Sequence, residues 1–220
     1  LEFLKSIADF LWYLFELFLH LDRSLGGVID KYQTWTYAFL FIVIFAETGF
    51  VVTPFLPGDS LLFAAGSFAA LGKLNVHIIA VILIIAAVVG DSINYSVGRF
   101  IGPKIFEREG SRFLKKEHLL KTHQFYEKHG GITIILARFI PIIRTFAPFV
   151  AGIGQMTYFK FISYNIIGGV VWILLFVYSG YFFGNLPVVK SNFSFVVVAI
   201  IFISVLPMLF EYVRHKIKKA

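Results

Sequence analysis

Long apolar runs alternate with short, broken ones along this chain. Residues 35–53 are predominantly apolar, long enough for a helix to cross about 30 Å of hydrocarbon, and Glu47 falls near the far end of this first span. Pro54-Phe55-Leu56-Pro57-Gly58-Asp59-Ser60 interrupts the pattern. The apolar run after it, 61–71, has 11 residues, too few to span and typical of a re-entrant segment. Gly72, Lys73 and Asn75 close this predicted hairpin. Residues 76–101 form a second span that carries Asp91, Asn94 and Tyr95 on one helical face, and Pro103 is expected to end it. The polar stretch 103–130 follows, with a surface helix expected around 111–127 and Gly130-Gly131 after it. Residues 132–152 form a second hairpin, broken by Pro141 and Pro148. Residues 159–184 make a third span with Asn165 and Trp172, and residues 193–212 a last one, kinked near Pro207. Residues 1–22 show helical spacing of apolar positions, but Glu2, Lys5, Asp9 and Glu16 interrupt it too often for a span. An amphipathic helix on the membrane surface fits, with a helix packed on the bundle as the alternative.

These elements predict an all-α membrane protein: four transmembrane helices plus two inverted re-entrant helical hairpins, with amphipathic surface helices at the N-terminus and in the central loop. Residues 1–30 hold the first surface helix, 31–212 a single membrane domain, and 213–220 a basic tail. Charge fixes the orientation. Lys104, Arg108, Arg112, Lys115, Lys116, Lys121 and Lys128 crowd the central loop, and the tail reads Arg214-His215-Lys216-Ile217-Lys218-Lys219. If both short segments return to the face they entered from, loop and tail are cytoplasmic, in accord with the positive-inside rule; if both cross, the loop faces outward. The first arrangement places both termini in the cytoplasm. The N-terminal stretch lacks the pattern of a removable signal peptide, so none is expected.

The two broken segments echo each other. Phe55-Leu56-Pro57 recurs as Phe139-Ile140-Pro141, 84 residues later, and each is soon followed by a charge and a hydroxyl, Asp59-Ser60 and Arg144-Thr145. Tyr95-Ser96 and Gly102 are matched by Tyr178-Ser179 and Gly184, the last at an offset of 82. Two inverted repeats, about 35–102 and 131–184, follow from this. Broken segments at matching places in an inverted repeat point to a binding site near the bilayer midplane.

The charges in those segments are the candidate chemistry. The stretch 137–152, ARFIPIIRTFAPFVAG, sets Arg138 and Arg144 in an apolar context, where a guanidinium costs about 2.5–3.5 kcal/mol on insertion scales. Glu47 and Asp59 are the expected partners, with Pro57, Gly58, Pro141 and Pro148 shaping the hairpins. Such pairs could serve only to hold the hairpins together. They could also open, since arginine binds phosphate through a two-pronged fork and a carboxylate released in a dry site takes up a proton. Arg138 and Arg144 are therefore candidates to bind a lipid phosphate, and Glu47, Asp59 and Asp91 candidates to couple protons. Asp91 has a structural alternative as a partner of Arg99 or Asn94. Arg99 reads as a residue reaching for headgroups, and Asn165 and Trp172 read as packing or interface residues rather than ligands.

Composition narrows the function classes. The chain is 58% apolar and 15% charged, where soluble domains run to about a quarter charged, and its mean hydropathy of +0.81 agrees. It has no cysteine, which removes thiolate catalysis and Cys-ligated zinc. His118 and His123 are at the wrong spacing for one helical face. No catalytic triad, metal cluster or Walker motif is visible, so neither an enzyme nor a cofactor is expected. The net charge of +7 suits anionic headgroups better than nucleic acid. Self-association into a homo-oligomer is compatible with the sequence.

At the charged residues the chain resembles the DedA family, also called SNARE-associated or VTT-domain membrane proteins. The matching blocks are Glu47 before Pro54-Phe55-Leu56-Pro57-Gly58-Asp59-Ser60-Leu61; Gly90-Asp91-Ser92-Ile93-Asn94-Tyr95 with Gly98-Arg99; residues 137–152 with Met156; and Asn165 with Trp172. The resemblance implies lipid translocation in the bacterial cytoplasmic membrane, with undecaprenyl phosphate or a phospholipid moved by a flippase or scramblase. It also implies that Glu47, Asp59, Arg138 and Arg144 are essential and linked to the proton motive force. A proton-coupled small-ion antiporter and a non-transporting membrane scaffold are the competing readings. Two fixed positive charges disfavour a cation.

Overall fold

The computed structural model describes residues 29, 31–32, 34–50, 58–107, 116–193, 195–196 and 198–200. The N-terminal amphipathic helix, Pro57, most of the last span and the basic tail lie outside them. Among the described residues the chain is helical and has no strand. The elements are α1 (Trp35–Gly49), α2 (Gly58–Ala70), α3 (Val76–Glu107), α4 (Lys116–Ala137), α5 (Pro141–Ile153), α6 (Tyr158–Phe183) and the short α7 (Pro187–Ser191).

Two helices, Val76–Gly102 within α3 and Tyr158–Phe183, are long and apolar enough to cross a bilayer. Their outward faces are apolar. Along α3 the exposed positions include Ile78, Val81, Ile85, Val89, Ile93, Val97 and Phe100, an unbroken stripe at three- and four-residue spacing. On the inward side α3 buries Asp91 and Asn94. Apolar outside and polar inside is the arrangement a lipid solvent selects, since a water-soluble helix turns its apolar stripe to the core.

Three local expectations need correction, and the break at Pro141 holds. Pro103 does not end the second span: α3 runs on to Glu107. A proline interrupts one backbone hydrogen bond, and the turns on either side carry the helix past it. The surface helix of the central loop and the first arm of the second hairpin are one helix, α4, which passes through Gly130 and Gly131 unbroken. Both glycines are buried there, and a Cβ on Gly131 would overlap the ring of Tyr164, so close packing on α6 accounts for them. The break in the second hairpin falls at 138–140, where successive N–H groups bond three residues back, and Pro141 opens α5 at its first position. Pro148 lies inside α5 without ending it.

The long helices run antiparallel. The Tyr178 hydroxyl meets His77 at 2.9 Å at one end of the pair, and Tyr95 stacks on Phe161 towards the other, with ring centroids 4.4 Å apart. Each short helix packs chiefly on the long helix of the other half, α2 on α6 and α5 on α3. Glycines make this approach. A Cβ on Gly66 would overlap the Val177 carbonyl, and one on Gly180 the Phe63 carbonyl. A Cβ on Gly152 would likewise overlap the Tyr95 carbonyl, and one on Gly98 the Phe149 carbonyl. The C-terminal ends of α2 and α5 therefore lie at opposite ends of the α3–α6 pair, and the two short helices point in opposite directions. Both close with the same turn: Gly72 (φ 76°) after α2 and Gln155 (φ 52°) after α5 are left-handed, with Lys73 and Met156 N–H groups returning to Phe68 and Ala151 at 3.3 and 3.0 Å. Gly152→Val should lower stability by about 1–3 kcal/mol through this overlap. Thermal unfolding of the detergent-solubilised protein would show it as a fall in Tm, and an unchanged Tm would contradict the contact.

The starts of the long helices are capped. Asn75 Oδ1 accepts from the N–H groups of His77 and Ile78 at 3.0 and 3.1 Å. At the start of α6 the Glu127 carboxylate accepts from the Thr157 N–H at 2.9 Å and pairs with Lys160 at 3.1 Å. The Thr157 N–H and then Lys160 hold this carboxyl below its usual range. Two apolar clusters result. One gathers Leu40, Ile44, Leu62, Ile79, Leu83, Ile173 and Val177; the other gathers Tyr95, Ile134, Ala151, Met156 and Phe161. Along α3 and α6 they are separated by a charged layer near the middle of each helix.

Candidate functional site

Three elements deliver the first charged group. Glu47 stands in the last turn of α1, Asp59 in the first turn of α2, and Arg144 in the first turn of α5. Arg144 Nη2 donates to Glu47 Oε1 at 2.6 Å, and Nη1 donates to Asp59 Oδ1 at 2.8 Å. One guanidinium thus bridges carboxylates from two different helices. Its Cζ lies 4.7 Å from the centre of the Trp172 ring, and the Trp172 indole N–H donates to Asp59 Oδ1 at 2.9 Å. The Arg144 side chain is 2% exposed and that of Glu47 1%. Gly58 makes room, for a Cβ there would overlap the Glu47 carboxylate.

Arg138 has different partners from those its sequence neighbourhood suggests. It does not face Glu47 or Asp59 directly. Arg138 Nη2 donates to Asp91 Oδ2 at 2.5 Å and to the Asn165 side-chain oxygen. Asn165 Nδ2 in turn donates to the Val88 carbonyl at 3.0 Å, which ties α6 to α3. Asp91 therefore pairs with Arg138, not with Arg99 or Asn94. Asn94 donates instead to the carbonyls of Thr48 and Thr145, at 3.2 and 2.7 Å. It joins the end of α1 to the turn of α5 that precedes Pro148. Arg99 is exposed and donates to the Tyr95 hydroxyl at 3.3 Å.

Asn165 and Trp172 are buried packing residues, as their types suggest, and they also bond to the charged layer. Their residue types made packing the simpler inference. The available signal was register: Asn165, Gly168, Gly169 and Trp172 fall at i, i+3, i+4 and i+7, one face of one helix. The two glycines lie against the Arg138 stem, where added Cβ atoms would come within 3.1 Å of its Cδ and 3.6 Å of its Cζ. Gly90 does the same for α1, where a Cβ would overlap the Thr48 hydroxyl.

The layer is buried but incompletely paired. Among the described residues Glu47 Oε2, Asp91 Oδ1, Asn94 Oδ1, Arg138 Nε and Nη1, and Arg144 Nε make no hydrogen bond within the protein. Buried polar groups are ordinarily satisfied, and concentrations of exceptions call for an explanation. With all five groups ionised, three carboxylates face two guanidiniums, an excess of one negative charge. The described residues contain no group of three or more His, Cys, Asp or Glu able to hold a metal.

A family profile for the VTT domain matches residues 56–182, which takes in every residue of this layer except Glu47. The chain belongs to the DedA, or VTT-domain, family of membrane proteins. It is 54% identical to Protein DedA of Escherichia coli (strain K12), over 94% of this chain and 96% of that one. It is 44% identical to an uncharacterised membrane protein of Mycobacterium tuberculosis, over 80% of this chain and 78% of the relative. It is 32% identical to the inner membrane protein YqjA of Escherichia coli (strain K12), over 69% of each. No solved structure matches it. Membership of the DedA family agrees with the apolar outer faces of α3 and α6 and leaves the charged layer to be explained by what it does.

Proposed function

We propose that this DedA-family protein is a lipid translocator of the bacterial cytoplasmic membrane, moving a lipid phosphate such as undecaprenyl phosphate or a phospholipid in a proton-coupled exchange. One observation carries the reading: a buried guanidinium, Arg144, is shared between two acids on separate helices and keeps Nε unpartnered. Phosphate oxygens accept in the same forked geometry as carboxylates, so they can compete for that edge. Arg138 forms the second positive wall. With all five groups ionised the layer carries one excess negative charge, and an incoming phosphate would raise the excess. A proton taken up at Glu47 or Asp59 as Arg144 leaves it would offset the added charge.

The architecture that suits this function has four spans and two inverted re-entrant hairpins, with both termini cytoplasmic. The short helices α2 and α5 have 13 residues each, about 20 Å at 1.5 Å per residue, against about 30 Å of hydrocarbon. Their opposite directions bring half-membrane segments from both faces to one layer, as in transporters built on inverted repeats. The inner-membrane designation of YqjA supports the location.

The test is transport in proteoliposomes loaded with labelled undecaprenyl phosphate or labelled phospholipid, with and without a pH gradient. Movement of the phosphate lipid, faster with the gradient, is the expected result. Glu47→Gln and Asp59→Asn should each remove the gradient dependence, and full coupling in both variants would refute the proton step. Gradient-driven ion flux without lipid movement would favour an antiporter, which the two fixed guanidiniums make the weaker reading for a cation.

A further inference from the structure

Trp172 touches more of the charged layer than any hydrogen bond within it. It is fully buried. Its ring face lies 4.7 Å from the Arg144 guanidinium and 5.9 Å from that of Arg138, and its indole N–H donates to Asp59. We propose that Trp172 is a positioning residue for the exchange, holding Arg144 by the ring face and Asp59 by the N–H while the guanidinium edge passes from carboxylate to phosphate. The inference rests on the proposed lipid-phosphate function.

A guanidinium can make these two contacts in different directions. A guanidinium binds carboxylate or phosphate through its in-plane N–H groups and stacks on an aromatic ring through its flat face. The contact with Trp172 therefore need not break when the in-plane partners change. Asp59 Oδ1 accepts from both Arg144 Nη1 and the indole, so one of these two bonds remains after Arg144 has turned to a phosphate. The ring is itself steadied by Arg138, which Asp91 and Asn165 fix in place. A leucine would fill the same apolar space without either contact. A phenylalanine would keep the face and lose the N–H.

The experiment compares Trp172→Phe and Trp172→Leu in the full-length protein, measuring undecaprenyl phosphate transport, its half-saturating concentration and Tm. Alongside, the indole N–H resonance of Trp172 is followed by NMR in detergent, assigned from the Phe variant, before and after adding undecaprenyl phosphate. We expect Trp172→Phe to slow maximal transport about tenfold, in keeping with loss of one hydrogen bond to a charged group, with half-saturation and Tm little changed. Trp172→Leu should slow it about a hundredfold, as the ring contact is lost as well. The indole resonance should move on phosphate-lipid addition and in Asp59→Asn. Wild-type rates in both variants, or losses that simply follow Tm, would overturn the proposal. A wild-type protein that moves no lipid but whose indole resonance responds to the phosphate lipid would remove the transport function and leave the contact standing. Neither transport nor response would remove both.

Discussion

Arg144→Ala should abolish lipid movement and lower stability by about 3–5 kcal/mol, the range seen when one partner of a buried ion pair is removed. The magnitude follows from what is stranded. Glu47 and Asp59 both lose the guanidinium that bridges them at 2.6 and 2.8 Å, and two carboxylates are left in a layer that already contains Asp91. Arg144→Lys separates charge from shape. Its ammonium preserves the positive charge, but a single point cannot place two in-plane donors on two acids and a flat face on Trp172 together. That variant should fold with a Tm near wild type and move lipid at least about a hundredfold more slowly, a loss of transition-state stabilisation read from the rate ratio. Tm and proteoliposome transport measured on both variants decide the matter. A lysine variant at the wild-type rate would show that charge alone is needed and that the forked geometry is incidental.

Asp91→Ala should destabilise by a similar amount, about 3–5 kcal/mol, for the complementary reason. Arg138 is held by Asp91 and Asn165 in a slot lined by Gly168 and Gly169. Without the carboxylate a buried cation remains with one neutral side chain to accept from it. Removing both charges should undo much of the damage. Asp91→Leu combined with Arg138→Met should recover most of the lost Tm, since replacing a whole buried pair with apolar groups is often neutral or better. The double-mutant cycle then gives a large coupling term, as expected for groups in direct contact. A double variant no more stable than Asp91→Ala would mean that the loss does not come from an orphaned cation. Transport in that double variant should stay low, because the layer then lacks Arg138, its second positive charge.

Much of the helix order could be read from residue order because it depends on local periodicity and on the cost of charge in hydrocarbon. Apolar runs of the right length located α3 and α6, and the motif Phe139-Ile140-Pro141 located the break between α4 and α5. Breakers were less dependable. Pro103, Pro148, Gly130 and Gly131 all lie inside continuous helices; at Gly130 and Gly131 the side chains of Met156 and Tyr164 pack against the helix and offset what an isolated one would lose.

The sequence alone determined that Glu47, Asp59, Arg138 and Arg144 would need partners, since an ionised group at membrane depth is unstable without one; it left Asp91 open between these charges and Arg99 or Asn94. It also determined membership of the DedA family. Only the tertiary structure decided who partners whom: Arg144 bridges Glu47 and Asp59, while Arg138 belongs to Asp91 and Asn165. That choice depends on how closely helices distant in sequence approach, which glycines at 58, 90, 152, 168 and 169 set through contacts across the fold. The contacts of Trp172 with Arg144 and Asp59 were settled by the fold for the same reason: a ring face and an N–H acquire partners only from what the fold places beside them.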